Sequence, residues 1–201
     1  MDTIKSKYHE TLAATVIKNL EKRQMEGYYC PTVEDAEKLA FSFLKDGQTV
    51  SFGGSMTLEE TGMLTALRHD PSIHLIDRST AKTPDETKKM YHDALSSDVY
   101  FMSTNAITTG GELVNIDGTG NRVAALIYGP ETVVILAGMN KIAANVDEAL
   151  SRVHNVATAQ NCIRLDKKTP CAITGACADC LSPDCICNQV VITRRSGIKG
   201  R

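Results

Sequence analysis

The sequence predicts an α/β fold, a mostly parallel sheet flanked by helices, with a cysteine-rich loop near the C-terminus. Short apolar runs alternate with amphipathic stretches along most of the 201 residues, the pattern of strands joined by helical crossovers. Several of these runs stop at glycine-rich turns. Hydrophobic residues make up 42% of the chain and charged residues 23%, enough for a full core beneath an ordinary soluble surface.

The elements follow in order. Ile4, Tyr8, Leu12, Val16 and Leu20 recur every four residues among charged neighbours, which predicts an amphipathic helix ending near Gly27. Thr32 to Leu44 reads as a second helix. Thr49 to Phe52 is an apolar run halted by Gly53-Gly54, a buried strand. Thr57-Leu58-Glu59-Glu60 fits a capping box, with Thr57 at the N-cap and Glu60 reaching back, and the helix it opens should reach about Arg68. Ile73 to Ile76 reads as a strand, and Pro84 opens a helix to about Leu95. Val99 to Met102, Leu113 to Ile116, Val123 to Ile127 and Thr132 to Ala137 read as further strands. Asn145 caps a helix carrying Ala149, Leu150 and Val153, with Glu148 at the matching position. Gln189 to Thr193 is the final strand. No repeat or low-complexity segment is evident.

The charge balance narrows the function. Net charge is −2 and the pI about 6.2, which argues against a general nucleic-acid binder, since that role needs a basic excess to meet phosphate. The basic run of Arg194, Arg195, Lys199 and Arg201 reads as a solvated tail or a terminus that would normally continue. No apolar stretch approaches a membrane span, and the N-terminus lacks the apolar core of a secretory signal. A cytoplasmic protein is therefore expected, in a compartment that keeps thiols reduced.

Two segments suggest ligand chemistry. Ser51-Phe52-Gly53-Gly54-Ser55-Met56-Thr57 joins a strand to a helix. Gly53 and Gly54 let backbone approach a ligand, while Ser55 and Thr57 offer hydroxyls, so the loop suits a small phosphate or carboxylate. A tight turn with an N-cap uses the same residues. The loop is neither a Walker A motif nor a dinucleotide fingerprint. The strip from Asn105 to Arg122 is dense in Asn, Asp, Thr and Gly. Asn105, Asn121 and Arg122 there could hold a ligand, and Asp117 could serve as an acid or base. A hairpin with Asx turns also needs these residue types. Lys141 follows a strand, where ligands gather in parallel sheets. Glu60, Asp117 and Lys141 are the candidates for handling protons or acyl groups. The five histidines are scattered, and none is assigned to a site.

Cysteine is the strongest chemical signal. Six of the seven, Cys162, Cys171, Cys177, Cys180, Cys185 and Cys187, lie in the last forty residues, with only Cys30 elsewhere. The odd count leaves one unpaired in any all-disulfide scheme. Clustered reduced thiols can hold a metal or an iron–sulfur cluster, and Cys177 and Cys180 form the C-x₂-C pair common in such sites. A [4Fe–4S] cluster, structural zinc and free thiols all stay open on donor type.

Ser55-Met56-Thr57-Leu58-Glu59-Glu60-Thr61-Gly62, Thr104-Asn105-Ala106-Ile107, Val114 through Arg122, and Gly138-Met139-Asn140-Lys141-Ile142 resemble the LUD (lactate utilisation) domain family. The likeness runs from about Gly53 to Thr193, and the tail from Pro170 to Asn188 resembles the family's cysteine-bearing branch. It implies a fold similar to ribose-phosphate isomerases, sugar-phosphate deaminases and CoA transferases. It points to Cys171 and Cys187 as ligands beside Cys177 and Cys180; Cys185 is the substitute on the residues themselves, since Pro183 bends the chain just before it. It implies a redox accessory role in oxidation of lactate or a related 2-hydroxy acid, beside iron–sulfur oxidoreductase subunits. An isomerase or acyl-transfer enzyme, or a ligand sensor, is the alternative. Family members commonly continue into a further apolar strand, whereas this sequence stops at Gly200-Arg201, as a truncated or shortened chain would. The expected organisation is a helical segment at 1–47, an α/β core at 48–160, and the cysteine-rich loop with the last strand at 161–201. Homo-oligomerisation stays open.

Overall fold

The computed structural model describes residues 3–197; Lys199 and Arg201 of the basic run lie outside the described residues. Helix α1 spans Thr3–Lys22 and α2 Val33–Phe41, the latter capped by Thr32, whose side chain accepts from the Asp35 N–H. The first helix stops five residues short of Gly27, and its buried stripe is Ala13, Val16 and Leu20, while Ile4 and Tyr8 are exposed.

A parallel sheet forms the centre. Its strands are β1 (Thr49–Phe52), β2 (His74–Ile76), β3 (Val99–Met102) and β6 (Thr132–Ile135), in the order β2-β1-β3-β6. Register pairs Ser51 with Ile76 and with Tyr100, and Phe101 with Val134. Side chains alternate across the sheet. Val50, Phe52, Val99 and Phe101 bury one face against Leu64 and Leu67 of α4 (Met63–His69). Tyr100 and Met102 bury the other against Ala94 of α5 (Pro84–Ala94) and Ala125 of α6 (Asn121–Ile127).

The second sheet has the order β7-β4-β5-β8, from β4 (Ala106–Thr108), β5 (Leu113–Asp117), β7 (Ile142–Ala143) and β8 (Gln189–Thr193). Its β4–β5 and β5–β8 pairs are antiparallel and β4–β7 is parallel. Among the described residues, four of the six strand pairings are thus parallel. One face packs on Ala149 of α7 (Val146–Arg152) and on Val153. On the other, Ile107 and Leu113 meet Val16 and Leu20 of α1.

Three expectations are corrected. Val123 to Ile127 is helical within α6, because Gly120, at φ 90°, turns the chain and its carbonyl accepts the first helical bond from Ala124. A short apolar run does not itself distinguish strand from helix. The helix expected from Thr57 to Arg68 is two pieces, α3 (Met56–Glu60) and α4, broken at Gly62 with φ 74°. Its N-cap is Ser55, whose hydroxyl accepts from the Leu58 N–H, while the Thr57 hydroxyl is engaged elsewhere. The Asn145 cap, by contrast, forms with the Glu148 N–H as expected. The strands at Ala106–Thr108 and Ile142–Ala143 were not foreseen.

Beyond α7 the chain runs through a π-helical stretch, Val153–Thr158, into α8 (Ala159–Arg164). A short helix, α9 (Pro170–Thr174), interrupts what the sequence presents as a long loop. Among the described residues no helix is long and apolar enough to cross a membrane.

Candidate functional site

In a parallel sheet every strand delivers its following loop to the same edge. Beyond β2 lies Arg78, beyond β1 the Gly53–Thr57 loop, beyond β3 Ser103 and Thr104, and beyond β6 a 3₁₀ turn, Met139–Lys141. These segments meet. The Lys141 Nζ donates to Thr57 Oγ1 and to Ser103 Oγ, both at 2.7 Å. Burial, then the nearby Arg152 and Arg122 guanidiniums, pull its pKa down to about 8, with Glu60 opposing. Glu60 is exposed on α3 and forms no ion pair with Lys141.

The two glycines of the loop are explained by arginines. A Cβ on Gly54 would stand 2.3 Å from Arg78 Nη2, so that guanidinium lies over the loop. A Cβ on Gly53 would meet Arg122 Cγ and Cδ at 3.0 Å and the Tyr100 hydroxyl at 3.1 Å. Tyr100 is buried, and desolvation pushes its pKa up to about 12, so it stays neutral. Gly53→Ala is therefore expected to lose about 1–3 kcal/mol through overpacking against side chains that cannot retreat, measured by chemical denaturation.

The central strip is a hairpin with an Asx turn. Asp117 Oδ1 accepts from the N–H groups of Thr119 and Gly120. Its other oxygen is 3.5 Å from Arg122 Nε and has no hydrogen-bond partner. Arg122, expected to hold an anion, turns its guanidinium on protein oxygens: Nη1 donates to Ser103 O and Asn115 Oδ1, and Nη2 to Asn105 Oδ1 and Ile116 O. Asn105 is likewise occupied, its side chain accepting from the Ile116 N–H and its carbonyl from Arg152. These residues therefore build the floor of the site. Asn121 opens α6, half-buried, and Ser55 caps α3.

At this edge of the sheet stand Lys141, Arg78 and Arg152; among the described residues none of the three is in an ion pair. Besides lying over Gly54, the Arg78 guanidinium rests on the Tyr91 ring and donates to its hydroxyl at 3.5 Å. Arg152 uses Nε on Asn140 O and Nη1 on Asn105 O. The sequence reading missed Arg78, Arg152 and Ser103. The usable signal for Arg78 and Ser103 was their place just past the end of a parallel strand. The shallow surface hollows lined by Glu34, Glu37, Lys38 and Phe41, and by Lys7 to Lys18, lie on α2 and α1 and hold none of these groups.

The cysteine segment docks on the strip. Ile186 packs on Gly118, and the Asn188 amide donates to the Gly118 carbonyl at 2.8 Å. All seven cysteines are free thiols. Cys171 is buried beside Cys162, its Sγ 3.3 Å from Thr169 Oγ1. Cys187 is desolvated and pushed up to about 12, with Cys185 and Cys177 close enough to raise it further. Cys180 is lowered, first by the Ser182 hydroxyl, with Cys185 adding to it. Cys185 thus adjoins Cys180 and Cys187, and its Sγ accepts from the Cys187 N–H at 3.4 Å. The π-helical stretch supplies further contacts: Cys177 Sγ is 3.7 Å from His154 Nδ1, and the Cys177 N–H donates to Asn155 Oδ1. π-Turns of this kind recur at functional sites. Thiolate sulfur is a donor that soft metals take. Among the described residues, however, no three His, Cys, Asp or Glu side chains are arranged to hold a metal ion as they stand.

No curated protein matches the chain. Two similar solved structures are the tetrameric eIF2B-beta2-delta2 complex from C. thermophilum and eIF2B delta from Chaetomium thermophilum, each 18% identical. The first covers 68% of this chain and 46% of that chain at a TM-score of 0.37; the second covers 70% and 54% at 0.36. The chain thus spans about half the length of those solved chains. The LUD domain matches residues 13–201, nearly all of the sequence, and the chain belongs to that family.

Proposed function

We propose that this LUD-domain protein holds a small anionic metabolite, a carboxylate or phosphate, at the carboxyl edge of its parallel sheet, and that it serves the oxidation of lactate or a related 2-hydroxy acid. One observation carries the reading: Lys141 and Arg78 flank the Gly53–Thr57 loop and Arg152 faces Lys141, with none of the three in an ion pair among the described residues. Cations grouped without counter-charge are costly unless an anion joins them. The Thr57 and Ser103 hydroxyls add polar contacts, and Lys141, with its lowered pKa, is suited to moving a proton. The test is a thermal-shift screen of 2-hydroxy acids, sugar phosphates and CoA esters, since a ligand of the folded state raises the midpoint. A hit from one of these classes supports the reading, and its absence from all of them counts against it.

A second reading is favoured by the crowding of thiols around Cys185. Cys177, Cys180, Cys185 and Cys187 would hold an iron–sulfur cluster, with zinc as the alternative. Relative to the set implied by resemblance, Cys185 replaces Cys171, which is buried beside Cys162. A cluster would supply one-electron transfer to an oxidoreductase partner, whereas zinc would only order the segment. Protein purified without oxygen is expected to carry iron and acid-labile sulfide in equal amounts, and Cys187→Ser to lose both. Colourless protein with stoichiometric zinc selects zinc, and protein free of both metals rejects the site.

A further inference from the structure

We infer that Lys141 is a covalent centre, its side-chain amine condensing with the carbonyl of a small 2-oxo carboxylate to form a Schiff base. This deepens the anion reading above and rests on it. A site that only gathers charge has no need of a lysine set among other cations and screened from solvent. Lys141 stands between two hydroxyls, Thr57 Oγ1 and Ser103 Oγ, each 2.7 Å from Nζ. The charged groups facing it come from three elements: Glu60 on α3, Arg122 on α6 and Arg152 on α7. Arg122 is saturated by protein oxygens and cannot reach a ligand. Arg152 is anchored through Nε and Nη1, which leaves its Nη2 for a carboxylate next to the reacting carbon. Arg78, just past the same edge at the end of β2, lies over Gly54.

The chemistry balances without an oxidant. The neutral amine attacks the carbonyl carbon, and its lone pair becomes the C–N bond. The carbonyl π pair moves to oxygen, which takes a proton, while nitrogen gives one up. The resulting carbinolamine loses its hydroxyl as water together with the second nitrogen proton, and C=N forms. The Thr57 and Ser103 hydroxyls lie where those protons must pass. Burial, Arg152 and Arg122 favour the neutral amine, with a pKa of about 8.

Pyruvate is the probe. The full chain is incubated with pyruvate and sodium borohydride between pH 7 and pH 9, and then analysed by intact-mass and peptide mass spectrometry. The expected result is one reduced pyruvate per chain, on Lys141, with a yield that rises as pH passes through about 8. Lys141→Arg keeps the charge and should lose the adduct while keeping its thermal midpoint. Dihydroxyacetone phosphate is the comparison carbonyl. An adduct with it and none with pyruvate overturns the 2-oxo-acid assignment, and labelling spread over other lysines overturns the site. Pyruvate binding is measured separately by calorimetry without borohydride. Binding without an adduct overturns the Schiff base and leaves the anion site standing, whereas no binding of pyruvate and no hit in the wider screen removes both.

Discussion

Arg122→Met is expected to destabilise the fold by about 3–5 kcal/mol, the usual cost of removing one partner from a buried charge network. The side chain is 11% exposed, and its Nη1 and Nη2 together donate four hydrogen bonds. Removing it strands the Ser103 and Ile116 carbonyls, weakens the hold on both Asn105 and Asn115, and leaves Asp117 buried without its counter-charge. Arg122→Lys should rescue little, because an ammonium cannot span oxygens laid out for a planar fork. Urea denaturation measures both variants. A loss below about 0.5 kcal/mol for Arg122→Met, the range of ordinary surface changes, would contradict the keystone role assigned to this residue.

Arg78→Gln should do the opposite. Its guanidinium rests on Tyr91 and lies over Gly54, with no carboxylate partner in an ion pair. Little folding stability is at stake, so the thermal midpoint without ligand should stay near the wild type. Affinity for the anion should fall about tenfold to a hundredfold, as expected when one charge-assisted hydrogen bond of about 1.5–3 kcal/mol is lost. Calorimetry with whichever anion the screen yields gives the number. An unchanged dissociation constant would remove Arg78 from the site. The pair of variants separates an arginine that builds the site from one that reads the ligand.

Much of this arrangement was legible in the residues. The runs Thr49 to Phe52 and Val99 to Met102 declared themselves as buried strands, because nothing polar interrupts them beyond Ser51 and glycine or polar residues follow. Asp117 was read first as an acid or base, with an Asx turn as the competing use of Asp-Gly-Thr-Gly; its Oδ1 makes the turn. Val123 to Ile127 misled because its fate depends on Gly120 and on the burial of Ala125 beneath the sheet, which are tertiary facts. Arg122 announced a charge but not where its donors would go. Arg78 carried no spacing signal of its own; only the strand order β2-β1-β3-β6 brings it beside Gly54. Spacing did not show that Cys171 is buried, in contact with Cys162, whereas Cys185 is only half-buried.

The seam at Gly118 has a further consequence. Ile186 and Asn188 rest on the same turn whose N–H groups are held by Asp117, one residue's reach from Arg122. The cysteine segment on one flank and the proposed anion site on the other therefore share this turn. If occupancy of either proposed site changes the geometry of that turn, thermodynamic reciprocity makes the other respond by the same factor, so what binds at the thiols and what binds at the sheet edge would be two inputs to one equilibrium.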